Sequence, residues 1–119
     1  VVAQVFNARF RPIAPPFRVN TFTPGGQWLP SIAAAREGSW LVAWESGGNQ
    51  AGDGPGIFTR TFDAPAAGTP EMAINQTTAG PQNCPAVAIA PSGRGIAVWT
   101  SFDFSVSGQR LLGRLLADE

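Results

Sequence analysis

The stretch that decides the fold is Trp40-Leu41-Val42-Ala43-Trp44-Glu45-Ser46, which returns 55 residues later as Gly95-Ile96-Ala97-Val98-Trp99-Thr100-Ser101. The match extends upstream, because 10 of the 28 positions in residues 19–46 are identical to those 55 positions later. The identical pairs are Asn20/Asn75, Thr23/Thr78, Gly25/Gly80, Gln27/Gln82, Pro30/Pro85, Ala33/Ala88, Ala35/Ala90, Gly38/Gly93, Trp44/Trp99 and Ser46/Ser101. A fixed period of this length is typical of chains that stack copies of one supersecondary unit.

The unit consists of short strands separated by turns. Trp40, Val42 and Trp44 alternate with Leu41 and Ala43, which is the two-residue period of a strand. The 14 glycines and 11 prolines of the chain favour turns over long helices. Residues 111–119 contain a helix-like run of leucines, but they align with strands in both earlier copies and are predicted as strand. The nine predicted strands are residues 2–10, 17–20, 31–35, 40–46, 57–62, 72–75, 86–90, 95–101 and 110–116.

These strands predict one repeat domain over residues 1–119. Unit one spans about residues 2–56, unit two about 57–108, and a third copy begins at about 109–119. Residues 57–62 align with residues 5–10 at a shift of 52, which places a three-residue insertion in the connection 63–73. Repeated four-stranded antiparallel sheets of this length are typical of propeller blades.

The predicted fold is therefore all-β, with two four-stranded antiparallel propeller-like blades and one overlapping strand. Propellers close with roughly four to eight blades, so two blades leave apolar faces uncovered. We expect several chains to assemble, with a trimer giving a six-bladed ring. The extra C-terminal strand is expected to complete a neighbour's blade by strand addition. An open sandwich of two sheets is the alternative fold.

Composition limits the classes of partner. The chain has a formal net charge of zero, so electrostatic attraction to nucleic acid or to an anionic membrane surface is not expected. It contains no apolar run of about 18 residues or more, and no membrane span is predicted. The first residues lack the charged segment and long apolar run of a signal peptide and are expected to begin a strand. Cys84 is the single cysteine, so no internal disulfide forms, and we expect a small buried apolar role for it.

Several runs of the sequence carry a resemblance to a known class of repeats. They are Ala3-Gln4-Val5-Phe6-Asn7, Phe17-Arg18-Val19-Asn20-Thr21, Pro30-Ser31-Ile32-Ala33, Trp40-Leu41-Val42-Ala43-Trp44-Glu45-Ser46 and Asp53-Gly54-Pro55-Gly56-Ile57-Phe58. Over nearly the whole chain they resemble the tandem propeller-like repeats of large secreted bacterial proteins. The second unit departs from that pattern after Trp99. The resemblance implies a secreted or cell-surface location and an adhesive role, and some related propellers are lectins.

Residues shared by both units are interpreted as structural. Trp44 and Trp99 are predicted to form the core between blades. Gln27 and Gln82 with the following prolines, and Asn20 and Asn75 at strand ends, are predicted to fix loops through side chain to backbone hydrogen bonds. Arg60 and Arg114 fall on apolar faces and are predicted to have a structural partner, either a carboxylate such as Glu45 or Asp63 or an aromatic face.

Residues that differ between units are the candidates for binding. Trp28 aligns with Asn83 and Trp40 with Gly95, and an exposed indole can stack on the apolar face of a sugar ring. The polar groups predicted to read the hydroxyls are those of Gln27, Glu37, Glu45 and Asn49. The alternative is that Trp28 and Trp40 fill an interface between blades or subunits. A carbohydrate-binding, lectin-like module is the leading functional prediction, and a structural or adhesive repeat segment without a small ligand is the second.

Enzymatic chemistry is limited by the residue types that the chain lacks. Without histidine there is no histidine-containing triad, without lysine no Schiff base, and without tyrosine no sialidase-type nucleophile. A carboxylate-dependent glycoside hydrolase is the third functional hypothesis, with Glu37 and Glu45 as an example of a catalytic carboxylate pair. The loop containing Asn49 and Asp53 has too few carboxylates to indicate calcium, so neither a metal nor a cofactor is predicted.

Overall fold

The chain forms an all-β structure. The computed structural model describes residues 1–50, 52, 54–64, 67–76, 79–103 and 108–116. Within these residues every regular element is a strand, and there is no helix of the length and apolarity needed to cross a membrane. The strands are β1 (Val2–Ala3), β2 (Phe17–Arg18), β3 (Gln27–Ala34), β4 (Trp40–Ser46), β5 (Gly56–Ala64), β6 (Ala67–Gly68), β7 (Met72–Ala73), β8 (Gln82–Ile89), β9 (Gly95–Asp103) and β10 (Gly108–Leu116).

The strands form three antiparallel sheets. The first sheet is the pair β1 and β2, and the third sheet has the order β8-β9-β10. The middle sheet has the order β3-β4-β5, and both β6 and β7 lie along the far edge of β5. Every strand therefore pairs with a strand that is close to it in sequence, as short connections dictate.

The deciding stretch is the central strand of the middle sheet. All seven residues of β4 are buried, because sheets lie on both of its faces. A tight hairpin precedes it, in which the N–H of Gly38 donates to the carbonyl of Ala35. Gly38 has a φ of 98°, and Gly93 repeats that turn with a φ of 87° before β9. Such values favour glycine because it has no Cβ.

The repeat predicted from the sequence is present in the strand register. In β3–β4 Gln27 lies opposite Ser46 and Ser31 opposite Ala43, and every pair recurs 55 residues later in β8–β9. Both ladders contain the same bulge, at which Leu29 has a φ of 49° and Cys84 a φ of 53°. Residues 111–116 are strand, as predicted. Cys84 is exposed at its bulge, so the predicted buried role is wrong.

The first predicted strand is shorter than expected, and its alignment is different. The carbonyl of Val1 accepts from Val19 as that of Ile57 accepts from Ile74, which places the equivalence at a shift of 56 instead of 52. Residues 8–10 form a turn instead of a strand. The Oδ1 of Asn7 accepts from the backbone N–H groups of Arg9 and Arg11 and holds that turn. The proposed three-residue insertion becomes a one-residue difference between the two connections.

The sheets also combine strands from both sequence units. The middle sheet takes its first two strands from residues 27–46 and its others from residues 56–73. The unit boundary at residues 56 and 57 therefore lies at the start of β5, inside one sheet. The physical reason is that β4 and β5 are consecutive in the chain, and they pair at seven positions across this boundary.

Two core clusters join the three sheets. Between the first and middle sheets, Val19 packs with Trp40, Val42, Trp44, Phe58 and Phe62, and Val1, Ala3, Val5 and Phe17 contact this cluster. Between the middle and third sheets, Ile57, Ile74, Ala97 and Trp99 form the second cluster, with Val87, Leu112 and Leu116 against it. The two clusters occupy equivalent positions of the repeat. The prediction that Trp44 and Trp99 lie between sheets agrees with this packing.

Candidate functional site

Trp40 lies inside the structure. Its indole stacks on the ring of Phe62, with centroids 4.1 Å apart and planes 9° apart, and Phe17 packs against both rings. This aromatic cluster fills one end of the interface between the first and middle sheets. Trp40 thus has the interface position that the alternative interpretation predicted, and its ring is not available to a ligand.

Gln27 holds a tryptophan in place. Its Oε1 accepts from Trp44 Nε1 at 2.9 Å, and its Nε2 donates to Ser46 Oγ at 2.9 Å. Gln82 makes the same two bonds, at the same distances, to Trp99 and Ser101. From the sequence we expected bonds from Gln27 to the backbone, and one to the carbonyl of Pro24 is present. The principal partners are the indole and the hydroxyl, and the shared Gln-Trp-Ser pattern was the signal for them.

Glu45 is buried where the middle sheet faces the third. Its Oε1 accepts from Asn83 Nδ2 at 3.1 Å, and its Oε2 is buried without a hydrogen-bond partner among the described residues. Trp40 and Glu45 are at opposite ends of β4, roughly 16 Å apart at the usual rise per residue. Glu37 precedes Trp40, so Glu37 and Glu45 are not at the separation of about 5–9.5 Å found for paired glycosidase carboxylates.

Trp28 and Asn49 are exposed at the Ser46 end of β4. The Trp28 ring is half exposed and lies against the backbone of Gly26 and Gly47, where a Cβ would overlap it. Asn49 Oδ1 accepts from the N–H of Gly54 at 3.2 Å, and Asp53, the single carboxylate of the loop that was judged too poor in carboxylates for calcium, lies outside the described residues. Glu37 is at the other end of the strand, with Oε1 accepting from Ser39. The six predicted binding residues are therefore not all brought together: Gln27, Trp28 and Glu45 are neighbours at the Ser46 end of β3 and β4, whereas Trp40 and Glu37 lie at the other end.

A groove lies at the Trp40 end of the second interface, between the middle and third sheets. Its volume is 910 Å³. The charged groups that line it are Glu37, Asp63, Glu71, Arg60 and Arg114. Hydroxyl groups of Ser39, Thr59, Thr61, Thr69 and Ser92 also line it, and its apolar part includes Leu41, Met72, Ile89, Leu115 and Leu116.

The groove exists because large residues of the first interface are replaced in the second. Gly95 stands at the position of Trp40, Leu116 at that of Phe62, and Met72 at that of Phe17, as the strand registers show. A Cβ on Gly95 would lie 3.2 Å from Leu41 Cδ2 and 3.5 Å from Leu116 Cβ, so these two leucines close in on the glycine and the groove lies beside them. The Trp40/Gly95 difference was visible in the sequence, but of the predicted binding residues only Glu37 lines the groove.

The cations of the groove are held by backbone carbonyls. Arg60 donates to the carbonyls of Val19 and Thr69, each at 2.6 Å, and its guanidinium lies 4.9 Å from the ring centre of Phe62. Arg114 donates to the carbonyl of Ile74 at 3.3 Å, the equivalent bond one interface later. The prediction of structural partners for both arginines is consistent with these bonds, although carbonyls take the place of the expected carboxylates.

Glu71 connects the sheets beside the groove. Its carboxylate accepts from the backbone N–H groups of Thr21 and Phe22, at 2.8 and 3.1 Å, and from the side chain of Gln50. The equivalent residue of the first unit is Pro16, so this bond set is specific to the second connection. Charge-assisted bonds of this kind fix the loop at residues 21–22.

Comparison of the chain with protein-family models, with curated protein sequences and with solved structures found no match.

Proposed function

We propose that the protein is a non-catalytic binding module made of propeller-like blades, with carbohydrate bound in the groove between the middle and third sheets. The observation that carries the proposal is that this groove is present at one interface and filled by Trp40, Phe62 and Phe17 at the equivalent interface. An interface that only needed to be stable would favour the filled arrangement, since packing density governs core stability.

The lining of the groove matches the chemistry of a polyhydroxylated ligand. Sugar hydroxyls require both donors and acceptors, which carboxylates of Glu37 and Asp63, the guanidinium of Arg114 and the threonine hydroxyls supply. The aliphatic side chains of Leu41 and Leu116 offer apolar contact to the C–H faces of a ring. Charges of both signs line the groove, which favours a neutral ligand over a strongly ionic one.

In this proposal the three sheets are successive blades of a propeller. The middle sheet has four strand positions, occupied by β3, β4, β5 and the β6/β7 pair. The first sheet supplies only the last two positions and the third sheet the first three. The secreted or cell-surface location in a bacterium, drawn from the sequence resemblance, belongs to the same proposal.

Glycan-array screening of the protein and of a Gly95→Trp variant tests the groove. The tryptophan restores the residue of the filled interface, and Leu41, 3.2 Å from the position of its Cβ, must shift to admit it. We expect the variant to lose sugar binding, and circular dichroism checks that the fold is retained. Asp63→Asn should weaken binding, whereas the matched control Trp28→Ala, at the other end of the sheet, should not. If no sugar binds at millimolar concentration, or if only Trp28→Ala removes binding, the groove is not the site.

The second candidate, a structural or adhesive repeat without a small ligand, is favoured by the uncovered apolar face of the third sheet. Leu111 and Leu115 are both exposed on that face. A protein that binds no sugar in the array yet associates with itself would support this candidate. Hydrolysis of a bound glycan that is lost in Asp63→Asn would instead favour the carboxylate hydrolase reading.

A further inference from the structure

The outer face of the third sheet has the composition of an internal interface, but no described strand covers it. Its apolar side chains include Leu111 and Leu115, which are 73% and 62% exposed. They stand where Ile57 and Thr61 stand in the middle sheet, and Ile57 is fully buried against the third sheet. The same positions of the repeat are therefore covered by the next sheet in one case and uncovered in the other.

The edge of the third sheet is also incomplete by comparison with the middle sheet. The far edge of β5 is covered by β6 and β7, whereas the described strands offer no such partner to β10 beyond β9. An exposed apolar edge strand is a template for pairing with another chain. Both the face and the edge of the third sheet thus lack what the next sheet in the series supplies.

The complementary surface is at the opposite end of the molecule. The first sheet has only two strands, so it covers only part of the tryptophan-bearing face of the middle sheet. Ile32 on that face is 63% exposed, while its equivalent, Val87, packs against the second core cluster. The missing strands of the first sheet are those at the positions of β8 and β9, which the third sheet possesses.

We propose that the third sheet docks on the first sheet of a second copy of this chain, with β10 of one copy in the place of β1 of the other. The repeat aligns Leu111, Gly113 and Leu115 with Val1, Ala3 and Val5, which pack against Trp40 and its neighbours. The composite would be a four-stranded sheet of β8, β9, β10 and the β2 of the second copy. This proposal goes beyond the binding function and does not depend on a ligand.

The bonds that β10 would make are already present twice in the chain. The carbonyls of Val1 and Val5 accept from Val19 and Ile13, as those of Ile57 and Thr61 accept from Ile74 and Thr69. Leu111 and Leu115 of the docked copy supply the same two carbonyls. Asn20 Oδ1, which accepts from the amino group of Val1, would accept from the N–H of Leu111, as Asn75 Oδ1 accepts from Ile57.

The strand that must be displaced is short. β1 has two residues paired with β2, and beyond them the segment keeps one isolated bridge, from Phe6 to Pro12. β10 has nine residues already paired with β9 and so enters as part of a formed sheet. The contact is heterologous, because different surfaces of the two copies meet, and it either closes a ring or extends as an open array.

Sedimentation over a wide concentration range tests the association. The protein should form a closed trimer or larger oligomers, and Leu111→Asp with Leu115→Asp should weaken association by more than about a hundredfold. The control Phe10→Asp changes a more exposed apolar residue that lies in the turn at residues 8–10, and it should leave the mass unchanged. A protein that is monomeric at every concentration, or one whose association survives the paired substitution, overturns the proposal.

Cross-linking tests the register independently of stability. In a Cys84→Ser background, Leu115→Cys in one copy should form a disulfide with Ile13→Cys in another. Leu115 takes the place of Val5, whose carbonyl accepts from Ile13, so the two residues lie opposite each other in the new strand pairing. A mixture of Leu115→Cys with Phe10→Cys provides the control and should not cross-link. Absence of the first disulfide refutes the register. Gly95→Trp should leave both results unchanged, which separates this proposal from the groove.

Discussion

The paired Gln-Trp-Ser networks allow a stability prediction with an internal control. In Gln82→Leu the buried N–H of Trp99 and the buried hydroxyl of Ser101 both lose their partner. An unsatisfied buried polar group costs about 1–3 kcal/mol, so the two together cost about 2–6 kcal/mol. Leucine approximates the volume of glutamine, and the loss is therefore assigned to hydrogen bonding more than to a cavity.

Gln27→Leu is the matched variant and should cost less. Gln27 is half-buried, so water can reach its site, and Ser46 Oγ retains a hydrogen bond to Gln50 at 3.0 Å. Only the Trp44 N–H then loses its partner, which corresponds to about 1–3 kcal/mol, reduced further by the access of water. The ratio of the two losses in unfolding free energy tests the role of burial better than either loss alone.

Urea unfolding followed by tryptophan fluorescence and by far-ultraviolet circular dichroism measures both costs. In thermal unfolding, the melting temperature of Gln82→Leu should fall by about 4 °C for each kcal/mol of lost stability in a domain of this size. If Gln27→Leu is as destabilising as Gln82→Leu, or if both are neutral, then the buried network does not stabilise the sheets as the geometry implies.

Three further substitutions test local features. Cys84→Val should lower the free energy of unfolding by about 1–2 kcal/mol, although the site is exposed, because a β-branched residue fits poorly at a φ of 53°. The control Cys84→Gly should not be destabilised, and urea unfolding measures both variants. Arg60→Met should cost about 1.5–3 kcal/mol, because the carbonyls of Val19 and Thr69 lose a charged donor, and hydrogen exchange in β2 should increase. Glu71→Ala should accelerate exchange of the amides of Thr21 and Phe22, since both N–H groups lose their acceptor, while Glu37→Ala should leave them unchanged.

The sequence alone was sufficient for the all-β class and for much of the register, whereas the two predicted four-stranded blades are not confirmed by the observed sheets of two, five and three strands. The recurrence of Trp44 as Trp99, with identical residues upstream, placed both copies of the β3–β4 hairpin at a constant shift, and the structure keeps that shift through the bulge. The same reasoning correctly made residues 111–116 a strand. Repetition is informative here because equivalent residues must satisfy equivalent packing.

The first strand was misaligned for a physical reason that the pattern does not contain. Phe6 and Phe10 alternate with polar residues as strand residues do, and a shift of 52 matches them to Phe58 and Phe62. The side chain of Asn7 instead holds a turn, at which Phe10 adopts a φ of 58°. A local side chain to backbone bond overrode the two-residue period, as asparagine is able to do.

The candidate site could be predicted only in part, because exposure depends on the neighbouring sheet. The Trp40/Gly95 difference correctly marked a position where the copies diverge, but the larger residue was taken as the exposed one. In stacked sheets a large residue fills the gap to the next sheet, whereas beside the smaller residue Leu41 and Leu116 close in and a groove remains next to them. Divergence between repeats thus indicates where a groove lies, and the smaller residue indicates which interface contains it. In the proposed function, Gly95 is therefore the position that distinguishes the second interface from the first, more than the exposed Trp28 or the buried Trp40.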